Sequence, residues 1–350
     1  MLDWKSAAII LLVLSSKAPV TNSNEVVTAN SNESATAQSN EGVIAKSKDK
    51  EVAEAMPQSH SQLGEGKLLG DWSGLTAANK PGQNFDLLGW SLTLPTDLNE
   101  DGKADLIFEK PLSNGFELSP LFYTAKDGGM VFASPNQGAK TSKNTKYSRT
   151  ELREMLRRGN TRIKVKGISK NNWVFSSAHG SVKRDAGGVG GTLEATLAVN
   201  RVSVTGDKSK VGRVIIGQIH ATDDEPIRLY YRKLPHHERG SIYFAHEING
   251  GDDIWFNVLG SRSSSAADPE EGVALNEKFS YKISVVEESL YLTLIRQHKP
   301  NIHHFLDMSN SGYDDNSQYM YFKAGVYNQN NGGEPRDFVQ ATFYHLHTSH

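Results

Sequence analysis

The chain has 350 residues, with 38 Lys and Arg against 40 Asp and Glu and a formal net charge of -2. This near balance argues against a generically basic nucleic-acid binder, and no apolar run approaches the roughly 18–20 residues of a membrane span. The absence of cysteine excludes disulfides, thiolate metal sites and cysteine nucleophiles. With 37% hydrophobic and 22% charged residues, the chain has an ordinary soluble composition and is long enough to bury a large core.

Residues 1–19 have the order of a secretory signal peptide. Lys5 lies near the positive amine, residues 7–14 are apolar, and small residues follow at Ser15 and Ser16. A buried first strand or a cloning artefact would explain the same residues. We expect a bacterial-type export signal and therefore a periplasmic or secreted protein.

Residues 20–64 form a low-complexity segment. Ser, Asn, Ala, Glu and Thr dominate it, and it contains no aromatic residue. Such a segment cannot bury enough apolar surface to offset the entropy lost on ordering, so we expect a flexible tail. Aromatic residues and glycines become frequent from Gly70 and Trp72 onwards, which predicts one folded domain over residues 65–350.

Within this domain, apolar and polar residues alternate with a period of two. The pattern predicts strands in residues 90–94, 162–165, 192–199, 211–221, 281–295 and 319–327, separated by clusters of Gly, Asn, Asp and Pro. Few segments show a helical period. Short strands with turn-rich connections favour an all-β sandwich, jelly roll or barrel.

Three predicted strands carry unusual polar residues on one face. Because residues i and i+2 share a face, residues 148–155 place Arg149, Glu151, Arg153 and Met155 together. Residues 214–220 place Val214, Ile216, Gln218 and His220 together, and residues 319–329 place Tyr319, Tyr321, Lys323, Tyr327 and Gln329 opposite an apolar core face. Each strand alone is typical of a solvated ladder, a structural histidine or cross-strand packing. Together, guanidinium, amide, imidazole and phenol groups could neutralise a carboxylate and move protons.

These segments carry a family resemblance. Residues 149–153 (RTELR), 218–220 (QIH) and 321–329 (YFKAGVYNQ) resemble, in order and separation, the three signature blocks of the alginate lyases of polysaccharide lyase family 7. Residues 90–95 (WSLTLP) are similar to the opening strand of that family, and the resemblance spans about residues 85–345. It implies a β-jelly roll sandwich of two antiparallel sheets, with a concave sheet that binds a polyuronate chain in a groove.

The resemblance also implies the reaction. Alginate is a 4-linked polymer of mannuronate and guluronate, and β-elimination removes the C5 proton, expels the 4-O-linked sugar and leaves a 4,5-unsaturated uronate. Arg149, Gln218 and His220 would neutralise the substrate carboxylate, which is the major electrostatic requirement. Tyr327 would protonate the leaving oxygen. For mannuronate Tyr327 is also a candidate base, whereas for guluronate His220 is the better one.

The remaining expectations concern partners and cofactors. Arg153, Lys323, Tyr321 and Gln329 are the candidate substrate contacts, and no metal or organic cofactor is required for the chemistry. The expected partner is alginate or its oligosaccharides, with neither nucleic acid nor membrane, and the chain is expected to act as a monomer. Ile219, in the middle of the second block, favours guluronate-containing or mixed blocks by family association.

Two alternatives to a lyase need separate tests. A sandwich-fold glycoside hydrolase would need two carboxylates about 5–10 Å apart, and the three polar faces offer one prominent acid, Glu151. A non-catalytic polyuronate-binding module would need aromatic and basic residues but not His220 together with Tyr327. Only a lyase would release a product with near-ultraviolet absorbance.

Two further patterns are weaker. Residues 97–105 match the first part of a calcium loop, with Asp97, Asn99, Asp101 and Asp105 as candidate ligands, although a plain Asp/Asn/Gly turn explains the same residues. Residues 143–170 contain ten basic and two acidic residues, which predicts a basic patch able to steer a polyanion.

Overall fold

In a computed structural model of the chain, residues 65–350 are described. The predicted export signal and the predicted tail, residues 1–19 and 20–64, lie outside the described residues. Among the helices that are described, none combines the length and the apolar character needed to cross a membrane.

Strands dominate the described part of the chain. In chain order the strands are β1 (Trp90–Thr93), β2 (Leu106–Ile107), β3 (Phe122–Thr124), β4 (Met130–Pro135), β5 (Arg149–Glu154), β6 (Trp173–Val174), β7 (Gly188–Val189), β8 (Gly191–Arg201), β9 (Arg213–His220), β10 (Ile227–Arg232), β11 (Arg239–Glu247), β12 (Asp253–Leu259), β13 (Val273–Ala274), β14 (Lys278–Val286), β15 (Ser289–Arg296), β16 (Ile302–Asp307), β17 (Tyr321–Asn328) and β18 (Phe338–Ser349). Three short helices accompany them: α1 (Pro81–Asn84), α2 (Glu109–Ser113) and α3 (Gly180–Asp185).

The strands form two large antiparallel sheets. The first has the order β12-β11-β10-β9-β17-β5-β1-β2, with β13 paired to β11, and the second has the order β16-β15-β14-β8-β18-β4-β3. The short strands β6 and β7 form a separate parallel pair. The predicted all-β jelly-roll sandwich of two antiparallel sheets is therefore confirmed.

The core lies between the two sheets. Leu152, Phe322 and Val326 from the first sheet and Phe132 and Phe343 from the second are all fully buried. The rings of Phe132 and Phe343 meet edge to face, with centroids 5.2 Å apart. Burial of these apolar surfaces is the main force that holds the sheets together.

Two predicted strands differ from the structure. Residues 162–165 form no strand, because the backbone oxygen of Val165 accepts hydrogen bonds from the side chains of Arg153, Asn171 and Asn172 rather than from a neighbouring strand. Residues 281–295 belong to two strands, β14 and β15, which are joined by a turn in which Glu287 has a φ of 56°. A single alternating pattern therefore concealed a hairpin.

The sheet order brings the three polar segments together. Strands β9, β17 and β5 are consecutive neighbours in the middle of the first sheet, although they are far apart in the chain. Their core-facing residues pack against the second sheet, so their polar side chains lie on the other face. We call this the polar face and define it by Arg149, Gln218, His220, Lys323 and Tyr327.

Candidate active site

Strand register places the predicted side chains beside one another. Tyr327 of β17 is the cross-strand partner of Arg149 in β5. On the other side of β17, Lys323 is the cross-strand partner of Gln218 in β9. Tyr321 is the partner of His220. Directly opposed residues on one face of a sheet have Cβ atoms about 4.5–5.5 Å apart, so these groups form one contiguous surface.

A buried carboxylate lies at the centre of this surface. Glu151 is 2% exposed, and its two oxygens accept from Gln218 Nε2, from Lys323 Nζ and, at 3.1 Å, from Arg149 Nη1. Burial, reinforced by Arg149, lowers the pKa of Lys323 to about 8. Two cations thus share one anion, which leaves the centre of the polar face able to attract a further negative charge.

Several polar atoms of this centre have no protein partner. Arg149 Nε and Gln218 Oε1 are buried and make no hydrogen bond within residues 65–350. Buried polar atoms are normally hydrogen-bonded, so such atoms are frequent where a ligand completes the site. The arrangement suits an anionic group with both donor and acceptor positions.

Tyr327 lies against the guanidinium of Arg149. The Arg149 Cζ atom is 3.6 Å from the centre of the Tyr327 ring, and the ring of Tyr147 meets Tyr327 edge to face at 6.3 Å. Burial raises the pKa of Tyr327, and the positive charge of Arg149 only partly opposes this effect. Tyr327 therefore holds its proton at neutral pH and is available as a proton donor.

His220 presents one ring nitrogen for proton transfer. Its Nδ1 lies 2.7 Å from the backbone oxygen of Ala221, which can only accept, so Nδ1 carries the hydrogen and Nε2 has the lone pair of the neutral ring. The ring stacks on Tyr321 with centroids 5.1 Å apart. Burial, together with the cations Lys323 and Arg149, lowers the pKa of His220 despite the opposing effect of Glu225. His220 is therefore a neutral base at neutral pH.

Two β-bulges shape the middle of this surface. The register of β9 with β10 and with β17 shifts between Gly217 and Ile215. A Cβ on Gly217 would lie 2.6 Å from the hydroxyl of Tyr281 in the second sheet, and that hydroxyl donates to the Ile216 oxygen at 2.9 Å. Gly325, at φ 134°, occupies the matching irregular position in β17.

The β9 bulge corrects one sequence expectation. Val214 and Ile216 were predicted to share a face with Gln218 and His220, but Ile215 instead packs in one cluster with Tyr327. The extra residue of the bulge reverses the alternation before Gly217, so the prediction is wrong for the first half of β9. Sequence alternation alone does not reveal this reversal.

The four residues predicted to contact the substrate differ in how far their polar groups are already used within the protein. Lys323 binds Glu151, as described, and Tyr321 lies between the imidazole of His220 and the guanidinium of Arg153, whose Cζ is 3.8 Å from the Tyr321 ring centre. Arg153 donates to Asn172 Oδ1 at 2.7 Å and to the Val165 and Glu154 oxygens, so its donors are occupied within the protein. Gln329 is 7% exposed, and its Nε2 is buried without a partner in the described chain.

Sequence reasoning missed an acidic group beside His220. Glu225, Glu247 and Asp253 surround Arg228, with an Arg228 Nη2–Glu247 Oε2 distance of 3.4 Å and an ion pair to Asp253. Glu225 and Glu247 lie close enough for each to affect the pKa of the other.

A cationic and aromatic group, also missed, lies at the opposite end of β9 and β10. Arg232 is 4% exposed and donates only to backbone oxygens, and it is the cross-strand partner of Arg213. Arg262 lies over the ring of Trp255 at 4.8 Å. We call Arg213, Arg232, Arg262 and Trp255 the cationic end; within residues 65–350 its arginines form no ion pair. The alternation in residues 227–232 could have indicated it.

The predicted calcium loop is closed by hydrogen bonds of its own side chains. Asp97 accepts hydrogen bonds from the Asp101 and Gly102 amides at 2.9 and 3.0 Å, and Asp105 accepts from the Leu98 amide at 3.0 Å. Asn99 and Asp101 likewise bind amides of this loop. These hydrogen bonds close the turn, and no group of three His, Asp or Glu side chains suited to a metal is found in residues 65–350. Calcium binding at this loop stays a prediction. The turn interpretation is the one that the structure supports.

The basic run over residues 143–170 does not form one patch. Arg157 makes a buried bidentate ion pair with Glu109, with distances of 2.6 and 3.0 Å. Arg158 binds Asp86, and Lys170 donates to backbone oxygens. Charges that are paired within the protein contribute little to steering, so Arg149, Arg157 and Arg158 add less to the predicted patch than the other basic residues of the run.

Comparison with known proteins agrees with this geometry. A family model described as alginate lyase matches residues 85–350. An alginate lyase from Klebsiella pneumoniae is 54% identical over 283 residues, which cover 78% of this chain and 92% of that protein. The crystal structure of the alginate lyase from Klebsiella pneumoniae has a TM-score of 0.76 at 55% identity and covers 77% of this chain and 98% of its own.

A more distant structure shows the same fold. The exolytic alginate lyase of polysaccharide lyase family 7 from Zobellia galactanivorans has a TM-score of 0.59 at 23% identity, with coverage of 77% of this chain and 98% of its own. The family model covers most of the chain, and the Klebsiella relative is similar over nearly its whole length. The chain thus belongs to the alginate lyases of polysaccharide lyase family 7.

Proposed function

We propose that this alginate lyase performs β-elimination at the polar face, with a leaning towards guluronate-containing or mixed blocks. The observation that carries the assignment of the site is the meeting of Arg149, Gln218, His220 and Tyr327 on three adjacent strands. Arg149 has an unpartnered donor there in Nε, and Gln218 Nε2 has a second hydrogen beyond the one that it donates to Glu151. His220 Nε2 carries a lone pair, and Tyr327 has a proton to give.

The first chemical requirement is neutralisation of a carboxylate. A C5–H bond beside a carboxylate is barely acidic, because loss of the proton adds negative charge to an anion. Donors fixed at the developing charge lower this barrier, and loss of one such donor costs about 3–4 kcal/mol. Arg149 and Gln218 fill this role in our proposal, and the excess positive charge around Glu151 supports it.

The second requirement is a base and an acid at the correct positions. In guluronate the C5 proton and the leaving oxygen lie on opposite sides of the sugar, so His220 Nε2 takes the proton and Tyr327 protonates the leaving oxygen. In mannuronate both lie on one side, and Tyr327 serves both steps. No metal or organic cofactor enters this scheme.

The preference for guluronate is supported by Ile219 only indirectly. Its side chain is fully buried and pairs with Ile227 and Phe322 on the core side of the sheet. Any influence of Ile219 on specificity therefore acts through the placement of its neighbours Gln218 and His220. Time-resolved product analysis on polyguluronate, polymannuronate and mixed polymer tests the preference.

The charge distribution also suggests where the polymer lies. Alginate carries one carboxylate per sugar, and the cationic end offers arginines free of ion pairs beside the aromatic ring of Trp255. The opposite end presents Glu225, whose pKa is lowered and whose charge repels carboxylates. We propose that sugars adjoining the cleaved one bind at the cationic end. Arg262→Ala should raise KM several-fold with little change in kcat.

Matched variants test the catalytic roles. Tyr327→Phe and His220→Asn should lower kcat by at least about 100-fold, the usual contribution of a positioned acid or base. Tyr291→Phe and His303→Asn, exposed residues on β15 and β16, are the controls. The assay follows the near-ultraviolet absorbance of the unsaturated uronate. Cleavage of alginate at wild-type rates by either active-site variant would remove that residue from the scheme.

Export and assembly are separate proposals. We propose that the chain is secreted or periplasmic and acts as a monomer on alginate, without nucleic-acid or membrane partners. The signal-like order of residues 1–19 supports export. Cell fractionation with N-terminal sequencing of the mature protein, and light scattering of the purified protein, test the two parts.

A further inference from the structure

A carboxylate faces the free nitrogen of His220. Glu225 follows His220 in the connection between β9 and β10, and its Oε1 lies 3.4 Å from His220 Nε2. Its side chain is 18% exposed, and its Oε2 lies 3.8 Å from Nη1 of Arg228. Neither the family blocks nor the strand patterns include this residue.

The hydrogen bonding of the ring determines which protonation state of His220 this contact favours. Nδ1 of His220 already donates to the Ala221 oxygen, so in the neutral ring Nε2 carries only a lone pair. A lone pair and a carboxylate oxygen repel each other. Once Nε2 takes a proton, the ring is positive and the carboxylate oxygen 3.4 Å away attracts it by charge. The geometry is thus complementary to the imidazolium, the state that follows proton abstraction.

The other charged groups around His220 act in the opposite sense. Lys323 and Arg149 on the neighbouring strands oppose a positive imidazole, and Tyr321 covers one face of the ring. Glu225 is the anion that offsets them. Because burial and the two cations prevail, the pKa of His220 is lowered, so the ring is neutral before the reaction.

Neighbouring groups keep Glu225 charged. Burial opposes its ionisation, but His220 and Arg228 outweigh burial, and the pKa of Glu225 is lowered. Burial and the adjacent Glu225 raise the pKa of Glu247 to about 7. Glu247 therefore holds a proton for much of the time near neutral pH, while Arg228 also pairs with Asp253.

We propose that Glu225 is a positioning residue whose charge stabilises the imidazolium formed when His220 takes the C5 proton of a uronate. The C5–H bond breaks and the Nε2–H bond forms, while the electron pair enters the C4–C5 double bond. The C4–O bond breaks, and the leaving oxygen takes the proton of Tyr327. The imidazolium then returns its proton to solvent, and the phenolate of Tyr327 is reprotonated. This inference rests on the role of His220 proposed above.

Glu225→Gln is the decisive variant, because it keeps the shape and removes the charge. Without substrate, NMR titration of the His220 ring should show its pKa lowered by about 1 unit or more, as expected when an opposite charge within about 4–6 Å is lost. On polyguluronate, kcat should fall roughly 10- to 100-fold with little change in KM. Since activity needs neutral His220, the acidic limb of the kcat profile should move to lower pH.

Three controls make the result specific. Glu287→Gln, at an exposed turn, should change neither the titration nor the pH profile. Glu225→Asp keeps a carboxylate one methylene further away. Its kcat and its His220 pKa should therefore lie between those of the Glu225→Gln variant and those of the wild type. Thermal unfolding checks that the fold is intact, and the aspartate variant replaces the glutamine variant if the latter does not fold.

Two results would overturn the inference. The first is a Glu225→Gln enzyme in which His220 titrates as in the wild type. The second is a Glu225→Gln enzyme with reduced kcat whose pH profile of kcat keeps its acidic limb at the wild-type position. The titration needs no substrate, so it reports on the Glu225–His220 contact even if His220→Asn retained full activity. Full activity of the His220→Asn variant would instead refute the proposed role of His220.

Discussion

Loss of the charge on Glu151 should destabilise the fold more than any exposed substitution. Glu151 is 2% exposed and is shared by Arg149, Lys323 and Gln218. Glu151→Gln retains the volume but leaves two buried cations without their anion. Breaking a buried ion pair by removal of one partner costs about 3–5 kcal/mol.

The state of Lys323 supports this magnitude. Even beside Glu151, burial and Arg149 lower its pKa from 10.5 to about 8. At about 1.4 kcal/mol per pKa unit, holding Lys323 charged in the fold already costs roughly 3 kcal/mol. Without the carboxylate this cost rises, so for a loss of about 3–5 kcal/mol we expect the unfolding temperature to fall by roughly 6–20 °C, at about 2–4 °C per kcal/mol.

The loss of stability caused by Glu151→Gln should depend on pH in a defined direction. The folded pKa of Lys323 lies below its unfolded value, so the unfolded chain binds more protons between the two values and stability rises with pH in that window. Glu151→Gln lowers the folded pKa further. The deficit relative to the wild type should therefore be largest in mild acid and should narrow as the pH approaches 8.

Thermal unfolding at about pH 6 and pH 9 is the assay. The double variant Glu151→Gln/Lys323→Met removes one of the two unpaired cations and should recover part of the lost stability, whereas Glu287→Gln is the exposed control. A Glu151→Gln protein that unfolds within 2 °C of the wild type at pH 6 would refute the argument. So would a double variant no more stable than the single one.

Three further predictions concern other buried contacts. Glu109→Gln should lower the free energy of unfolding by about 3–5 kcal/mol, because it breaks the buried ion pair with Arg157. Arg157 lowers the pKa of Glu109 against the effect of burial. The loss of stability, measured by urea unfolding, should therefore be greatest at neutral pH and fade as the pH falls. Burial opposes the charge on His350, but its hydrogen bond to Glu154 at 2.9 Å raises its pKa, so its stabilisation is full in acid and is lost as the pH rises through the folded pKa. His350→Asn should therefore lower the unfolding temperature at about pH 6 and much less at about pH 9; equal losses at both would contradict this. Gly217→Ala places a Cβ 2.6 Å from a tyrosine hydroxyl of the second sheet, which should cost about 1–3 kcal/mol and reduce kcat by displacing the β9 bulge; unchanged unfolding and kcat would show that the bulge tolerates the methyl group.

The strand class and much of the local detail could be predicted from the sequence. Alternation separates Leu152, Phe322 and Val326 from the polar residues beside them, because a strand turns successive side chains to opposite faces. The same rule correctly placed Arg149 and Glu151 on one face of β5. The fold class followed from many such short segments, each of which needs a second sheet to cover its apolar face.

Other features depend on contacts between distant segments, and only the tertiary structure decided them. The β9 bulge arises because Gly217 meets Tyr281 of the other sheet, and no pattern within β9 records this contact. Glu225 reaches His220 because the connection after β9 folds back beside its own strand. A period of two is a property of a single strand, whereas a shared proton, a paired charge or a bulge is a property of two or more segments. For this reason the sequence alone determined the polar faces outside the first half of β9, and packing determined the face there and which polar groups meet.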